Sequence, residues 1–88
     1  MNLAEVVSKA RESLPTLTDR EFNSVVGVSK EEDGWKVTLE LVERKGIPDS
    51  SDILGIYEMK LDSEGEMVAF NRIRLRRRGD ISQSEREI

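Results

Sequence analysis

The sequence predicts a two-layer α+β domain, with an N-terminal helix packed on a four-stranded antiparallel β-sheet in α-β-β-β-β meander order. Three observations carry this prediction. Leu3, Val6, Val7, Ala10 and Leu14 repeat at the spacing of one helical face. Beyond residue 20, segments rich in β-branched residues alternate apolar and polar with period two. Two of the gaps between them, "EEDG" and "DSEG", are short polar stretches ending in glycine, as hairpin connections commonly do.

The helix is expected over residues 2–14. Asn2 suits the N-cap, and Pro15 disfavours helical geometry at Leu14 and so marks the end. "TLTDREFNS" follows as a connection, with room for a short turn capped by Thr18. "EFNSVVGVSK" and "WKVTLELVERK" form the first hairpin, with Gly34 supplying positive φ in the loop. Pairing Lys30 with Trp35 places Val28 opposite Val37 and Val26 opposite Leu39, so that the apolar faces coincide with Trp35, Val37, Leu39 and Leu41. "GIPDSSD" is a loop with one helical turn, and its aspartates and serines offer oxygens to local N–H groups.

"ILGIYEMKL" and "EMVAFNRIRLRRR" form the second hairpin. A bulge at Gly65 would pair Leu61 with Met67 and turn Met67, Ala69, Ile73 and Leu75 inward beside Ile53, Tyr57 and Met59. A plain four-residue loop would instead turn Val68 and Phe70 inward, and Ile73 and Leu75 favour the first register as core anchors. The domain is expected over residues 1–78, with 79–88 as a flexible tail.

Charge is unevenly placed. The net of −4 divides into −7 over residues 1–68, from eight Lys/Arg and fifteen Asp/Glu, +4 over residues 69–80 and −1 over residues 81–88. The chain has no cysteine or histidine, which removes disulfides, thiol nucleophiles, imidazole acid/base chemistry and zinc sites built on either residue. Its carboxylates fall mostly at turns and solvent-side strand positions, where catalytic pairs are not assembled. "DSSD" and "EEDG" lack the ordered ligands of a calcium loop, and no cofactor is implied. No apolar run approaches the ~18 residues of a membrane span, and the N-terminus has no signal-peptide block, so a soluble cytoplasmic protein is expected.

The strongest local signal is "AFNRIRLRRR", residues 69–78. With period two, Arg72, Arg74 and Arg76 share one face with Val68 and Phe70, and Arg77 and Arg78 continue past it. Glu58 and Glu40 on neighbouring strands offer these arginines cross-strand partners, each pair worth a few tenths to about 1 kcal/mol. The same face, with Ile56 and Val42, suits an acidic or amphipathic protein partner. Nucleic acid is disfavoured by the acidity of the remaining chain.

In order along the chain stand Asp33, Gly34 and Trp35, then Glu40 and Glu43, then Ile47, Pro48, Asp49, Asp52, Leu54, Tyr57 and Glu58. Leu61, Asp62, Gly65, Glu66, Arg72, Arg74 and Arg78 complete the set. Residues 33–80 thereby resemble the gas vesicle protein O family, GvpO, although Phe70 and Leu75 stand where the family pattern carries tyrosines. The resemblance implies a non-enzymatic accessory protein for forming gas vesicles, the gas-filled shells that give microbes buoyancy. It implies other gas vesicle proteins as partners, no membrane, and a cytoplasmic location that extends to association with the vesicles. Candidate partner-binding residues are Val68, Phe70, Arg72, Arg74, Arg76 and Arg78, with Glu58 beside them. The alternative is a small regulatory domain that contacts nucleic acid through the same strand.

Overall fold

A computed structural model of the chain describes residues 1–79. Helix α1, Leu3–Leu17, begins with a capping box: Asn2 Oδ1 accepts from the Glu5 N–H and Glu5 Oε1 from the Asn2 N–H, both at 2.8 Å. It ends at Leu17 rather than Leu14, with Pro15 inside it. Proline removes one helical N–H and crowds the carbonyl four residues back. Here burial of Leu14 and the packing of Leu17 on the core hold the last turn, which the Thr18 N–H closes on the Leu14 carbonyl at 3.0 Å.

Strands β1 (Glu21–Glu31), β2 (Gly34–Arg44), β3 (Ile53–Asp62) and β4 (Met67–Arg77) form one antiparallel sheet in the order β1-β2-β3-β4, the expected meander. Val6, Ala10 and Leu14 of α1 meet Trp35, Val37, Leu39 and Leu41 of β2 and Tyr57, Met59 and Leu61 of β3. Phe22, Val25, Val28, Met67 and Phe70 pack around them. Fully buried side chains such as Leu39 and Met59 each stabilise the fold by roughly 1.5–3 kcal/mol. The helix lies over β1 and β2, and its N-terminal end reaches the β3–β4 turn, where Met1 and Lys9 border Gly65.

Bulges decide which side chains face this core. Lys30 pairs with Trp35 and Val28 with Val37 as expected, but the register slips at Val26, so Val25 faces Leu39 and Val26 is 57% exposed. A second slip at Asn23 sets Phe22 opposite Leu41. Leu61 pairs with Met67, and Gly65 has φ +90° in the turn, as the bulged register requires. The next pairs are Lys60 with Ala69 and Met59 with Phe70, so Val68 is passed over and Phe70, not Ala69, turns toward the core. A further slip at Ile73 separates Arg72, opposite Tyr57, from Arg74, opposite Ile56. One extra residue reverses every later side chain relative to the partner strand. Ile73 and Leu75, expected as anchors, are each 49% exposed.

Gly34 does not take positive φ. A side chain there would strike the Leu61 carbonyl and the Asp62 backbone, so glycine is required by close strand approach. The loop before β3 holds the expected turn, Asp49–Ser51, and Asp52 Oδ1 accepts from the Gly46 N–H at 2.7 Å. Of the expected tail, the Gly79 N–H donates to the Ser50 carbonyl at 2.9 Å, and residues 80–88 lie outside the described residues. Among the described residues no helix is long and apolar enough to cross a membrane.

Candidate functional site

The arginines of residues 72–78 do not form a common row. Arg72 lies on the helix side of the sheet, whereas Arg74 and Arg76 lie on the far side, because the bulged Ile73 intervenes. Val68 and Phe70 are likewise parted from Arg74 and Arg76: Phe70 stacks on Tyr57 on the helix side, with ring centroids 4.9 Å apart and planes inclined by 10°, and Val68 is 63% exposed at its own bulge.

On the helix side the organising group is Glu43, whose side chain is only 8% exposed. It is the bulged residue of β2, between the pairs Val42–Leu54 and Arg44–Ile53. The Tyr57 hydroxyl donates to Glu43 Oε2 in a short hydrogen bond, while Arg20 Nε lies 2.9 Å and an Arg72 guanidinium nitrogen 3.3 Å from Oε1. Gly55 makes room for this cluster, since a Cβ there would press on Glu43 Oε2 and the Tyr57 ring. Burial raises the Tyr57 hydroxyl pKa above its usual value, and the Glu43 hydrogen bond and charge push it further, against the opposing charges of Arg20 and Arg72.

On the far side Glu40 is buried, and three groups donate to it: Arg76 Nε at 2.7 Å, Asn23 Nδ2 at 3.0 Å and Ser24 Oγ at 3.1 Å. Burial raises its pKa, but the hydrogen bonds from Arg76, Asn23 and Ser24 and the Arg76 charge outweigh that and hold it below the usual carboxylate range. Asn23 also accepts from Arg78 at 3.0 Å, and Arg78 reaches Asp52 Oδ2 at 3.1 Å. Asp52, almost fully buried, has its carboxyl lowered chiefly by the Gly46 N–H; burial opposes this, and Arg78 and Lys45 add to it. Asn23 thus joins two partly buried ion pairs into one chain across β1, β2 and the end of β4.

The expected pairing of Glu40 with the arginines is found, to Arg76, whereas Glu58 lies 3.8 Å from the Lys36 ammonium instead. Carboxylates expected at solvent-side positions prove otherwise at Glu40, Glu43 and Asp52, each drawn inward by guanidinium partners. Arg72, Arg76 and Arg78 are therefore structural ties. Among the described residues Arg74 and Arg77 pair with no carboxylate. Sequence reasoning missed Arg20 and Asn23 as members of these networks, and Gly55 was the available signal, because a glycine within a strand marks a close approach.

The fold and this strand define a small two-layer α+β protein, closed by one helix on one face, whose arginine-rich edge strand is tied to its own sheet by buried carboxylates. Compared with known families, residues 1–82 match the one described as gas vesicle synthesis protein GvpO. Gas vesicle protein O1 of Halobacterium salinarum is 32% identical over 81 residues, 92% of this chain and 68% of its own length. Gas vesicle protein O of Haloferax mediterranei is 34% identical over 84 residues, 94% of this chain and 60% of its own, and that of a Streptomyces species is 35% identical over 79 residues, 90% and 62%. The chain belongs to the GvpO family, and so to proteins of gas vesicle synthesis, and it spans about two thirds of the length of these relatives. No solved structure matches it. Of the residues that carry the family resemblance, Glu40, Glu43, Asp52, Tyr57, Arg72 and Arg78 are members of the two networks.

Proposed function

We propose that this protein is a non-enzymatic accessory in gas vesicle formation, acting in the cytoplasm by contact with other gas vesicle proteins through the outer part of β4. One observation carries the reading. With Arg72, Arg76 and Arg78 engaged inward, β4 leaves Val68, Ile73 and Leu75 about half exposed or more, and among the described residues the guanidiniums of Arg74 and Arg77 beside them pair with no carboxylate. Adjacent exposed apolar residues flanked by guanidiniums are the composition of a protein-contact surface. Phe70 supports that surface from the helix side, and Glu58, paired with Lys36, borders it on β3. Phosphate binding through the same strand is less well supported, since three of the five guanidiniums of residues 72–78 already face carboxylates.

The test is an Ile73→Asp, Arg74→Glu double variant, with circular dichroism to verify the fold and electron microscopy of cells to count vesicles. Vesicle formation is expected to fail while the fold persists. A normal vesicle count with a folded variant removes β4 as the contact.

A further inference from the structure

The alternation of β3 decides which backbone groups of β4 are left open. In an antiparallel pair, residues whose N–H and C=O face the neighbour alternate with residues whose groups face away. The Asp52 carbonyl accepts from the Arg78 N–H at 2.8 Å, and the Asp62 N–H donates to the Glu66 carbonyl at 2.8 Å, so every second residue from Asp52 to Asp62 faces β4. No extra residue interrupts β3, because the slips at Val68 and Ile73 lie on β4 and the slip at Glu43 lies on β2. Leu54 and Ile56 therefore exchange hydrogen bonds with their register partners, Arg76 and Arg74. The backbone groups of Leu75 and Arg77 point away from the sheet, and β4 is the last strand in its order. Among the described residues the Arg77 carbonyl meets one weak donor, Arg76 Nη1 at 3.4 Å, which leaves it a second lone pair.

The same register places the side chains that would flank an added strand. Arg74 lies opposite Ile56 on the far side of the sheet, and Leu75 and Arg77 lie opposite Gly55 and Ile53 on the helix side. Leu75 is half exposed, both arginines are exposed, and neither guanidinium pairs with a carboxylate among the described residues. Arg76 between them is held by Glu40, which fastens this part of β4 to the sheet. The bulges at Val68 and Ile73 break the edge before this point, so Arg74–Arg77 is its unbroken run.

We infer that Arg74–Arg77 takes an extended acidic segment of a partner protein as an added antiparallel strand. The inference rests on the reading that this chain works by protein contact through β4, and it names the partner's chemistry. Leu75 and Arg77 offer donors and acceptors side by side; a polypeptide backbone satisfies both, whereas a phosphate, with acceptors alone, does not. Directly opposite residues of an antiparallel pair interact, so the register sets the order of the segment. Read from its N-terminus, it carries a carboxylate opposite Arg77, any residue opposite Arg76, an apolar residue opposite Leu75 and a carboxylate opposite Arg74. Its two carboxylates fall on opposite faces, as Arg74 and Arg77 do. A second copy pairing through its own β4 would set guanidinium opposite guanidinium.

The test follows amide shifts and hydrogen exchange in isotope-labelled protein. In the free protein the Leu75 and Arg77 amides are expected to exchange faster than those of Arg74 and Arg76. The probes are a peptide with glutamate, threonine, valine and glutamate in that order at its centre, the same peptide with lysine for glutamate, the first peptide N-methylated at the glutamate and valine that meet Arg77 and Leu75, and a mixed-sequence DNA oligonucleotide. The first peptide is expected to shift and protect Leu75 and Arg77, and its lysine and N-methylated forms to bind about tenfold more weakly or worse. Leu75→Pro removes an outward N–H without touching the bonds to β3, and Arg74→Glu with Arg77→Glu reverses the charge; each should weaken the first peptide by about tenfold or more. The inference is overturned by no binding of that peptide, protection of β1 amides instead, equal binding of the lysine or N-methylated form, tighter binding of the oligonucleotide, or protection of Leu75 and Arg77 that grows with protein concentration alone. In cells the folded Leu75→Pro variant, or the charge-reversed one should Leu75→Pro fail to fold, is expected to lose vesicles. Vesicles kept there but lost in the Ile73→Asp, Arg74→Glu variant overturn strand addition and leave the β4 contact standing, whereas vesicles kept in both remove both.

Discussion

Replacing Arg76 by methionine keeps the aliphatic stem over the sheet and removes the guanidinium that lies 2.7 Å from Glu40. Glu40 then remains buried with only Asn23 and Ser24 as donors. A hydrogen bond to a charged group contributes about 1.5–3 kcal/mol. The Arg76 side chain is 25% exposed, so solvent screening places the loss toward the lower end, about 1.5 kcal/mol. For a domain of this size that lowers Tm by about 6–12 °C near pH 7. The pH dependence identifies the cause. The folded-state pKa of Glu40 is depressed, so its contribution is fully present above the unfolded value of about 4.3 and is lost as pH falls through the lower folded value. The gap between parent and variant should therefore hold from pH 7 to about 5 and close below about 4. The assay is thermal melting by circular dichroism across that range. A gap that stays constant into acid, or a fall in Tm under about 2 °C at neutral pH, refutes a role through the Glu40 charge.

Tyr57 is the sole tyrosine, so the near-ultraviolet absorbance of phenolate reports it alone. Its raised pKa means that its stabilising contribution is present below the unfolded value of about 10 and is lost as pH rises through the folded one. Glu43→Gln should lower the midpoint without returning it to the free value, because burial, the larger cause, remains; an unchanged midpoint refutes the assignment. Gly55→Ala drives a Cβ into Glu43 and Tyr57 and should cost about 1–3 kcal/mol in denaturant titration, whereas Gly27→Ala, with no atom within 4 Å of its added Cβ, should be close to neutral. Equal effects at the two glycines would refute the crowding at Gly55.

Element types and order were legible in the chain because they rest on local periodicity. The helical spacing of Val6, Ala10 and Leu14, the alternation from Trp35 to Leu41 and the Gly65 turn each appear as the pattern requires, whereas Leu3, expected on the same helical face, is 55% exposed. The placement of the arginines was not legible, because period two predicts faces only while the register is unbroken. The slips at Asn23, Val26, Glu43, Val68 and Ile73 leave no local mark that distinguishes them from their neighbours. Each is decided by what the partner strands bury.

The sequence by itself determined the two-layer α+β architecture, the family and the concentration of positive charge at the end of the chain. Only the tertiary structure decided that Arg72 turns to Glu43 while Arg76 and Arg78 turn to Glu40 and Asp52, and that Ile73 and Leu75 stay half exposed. The reason is physical: a carboxylate buried between strands must find donors wherever the chain brings them, and extra residues in three of the four strands set which guanidinium arrives.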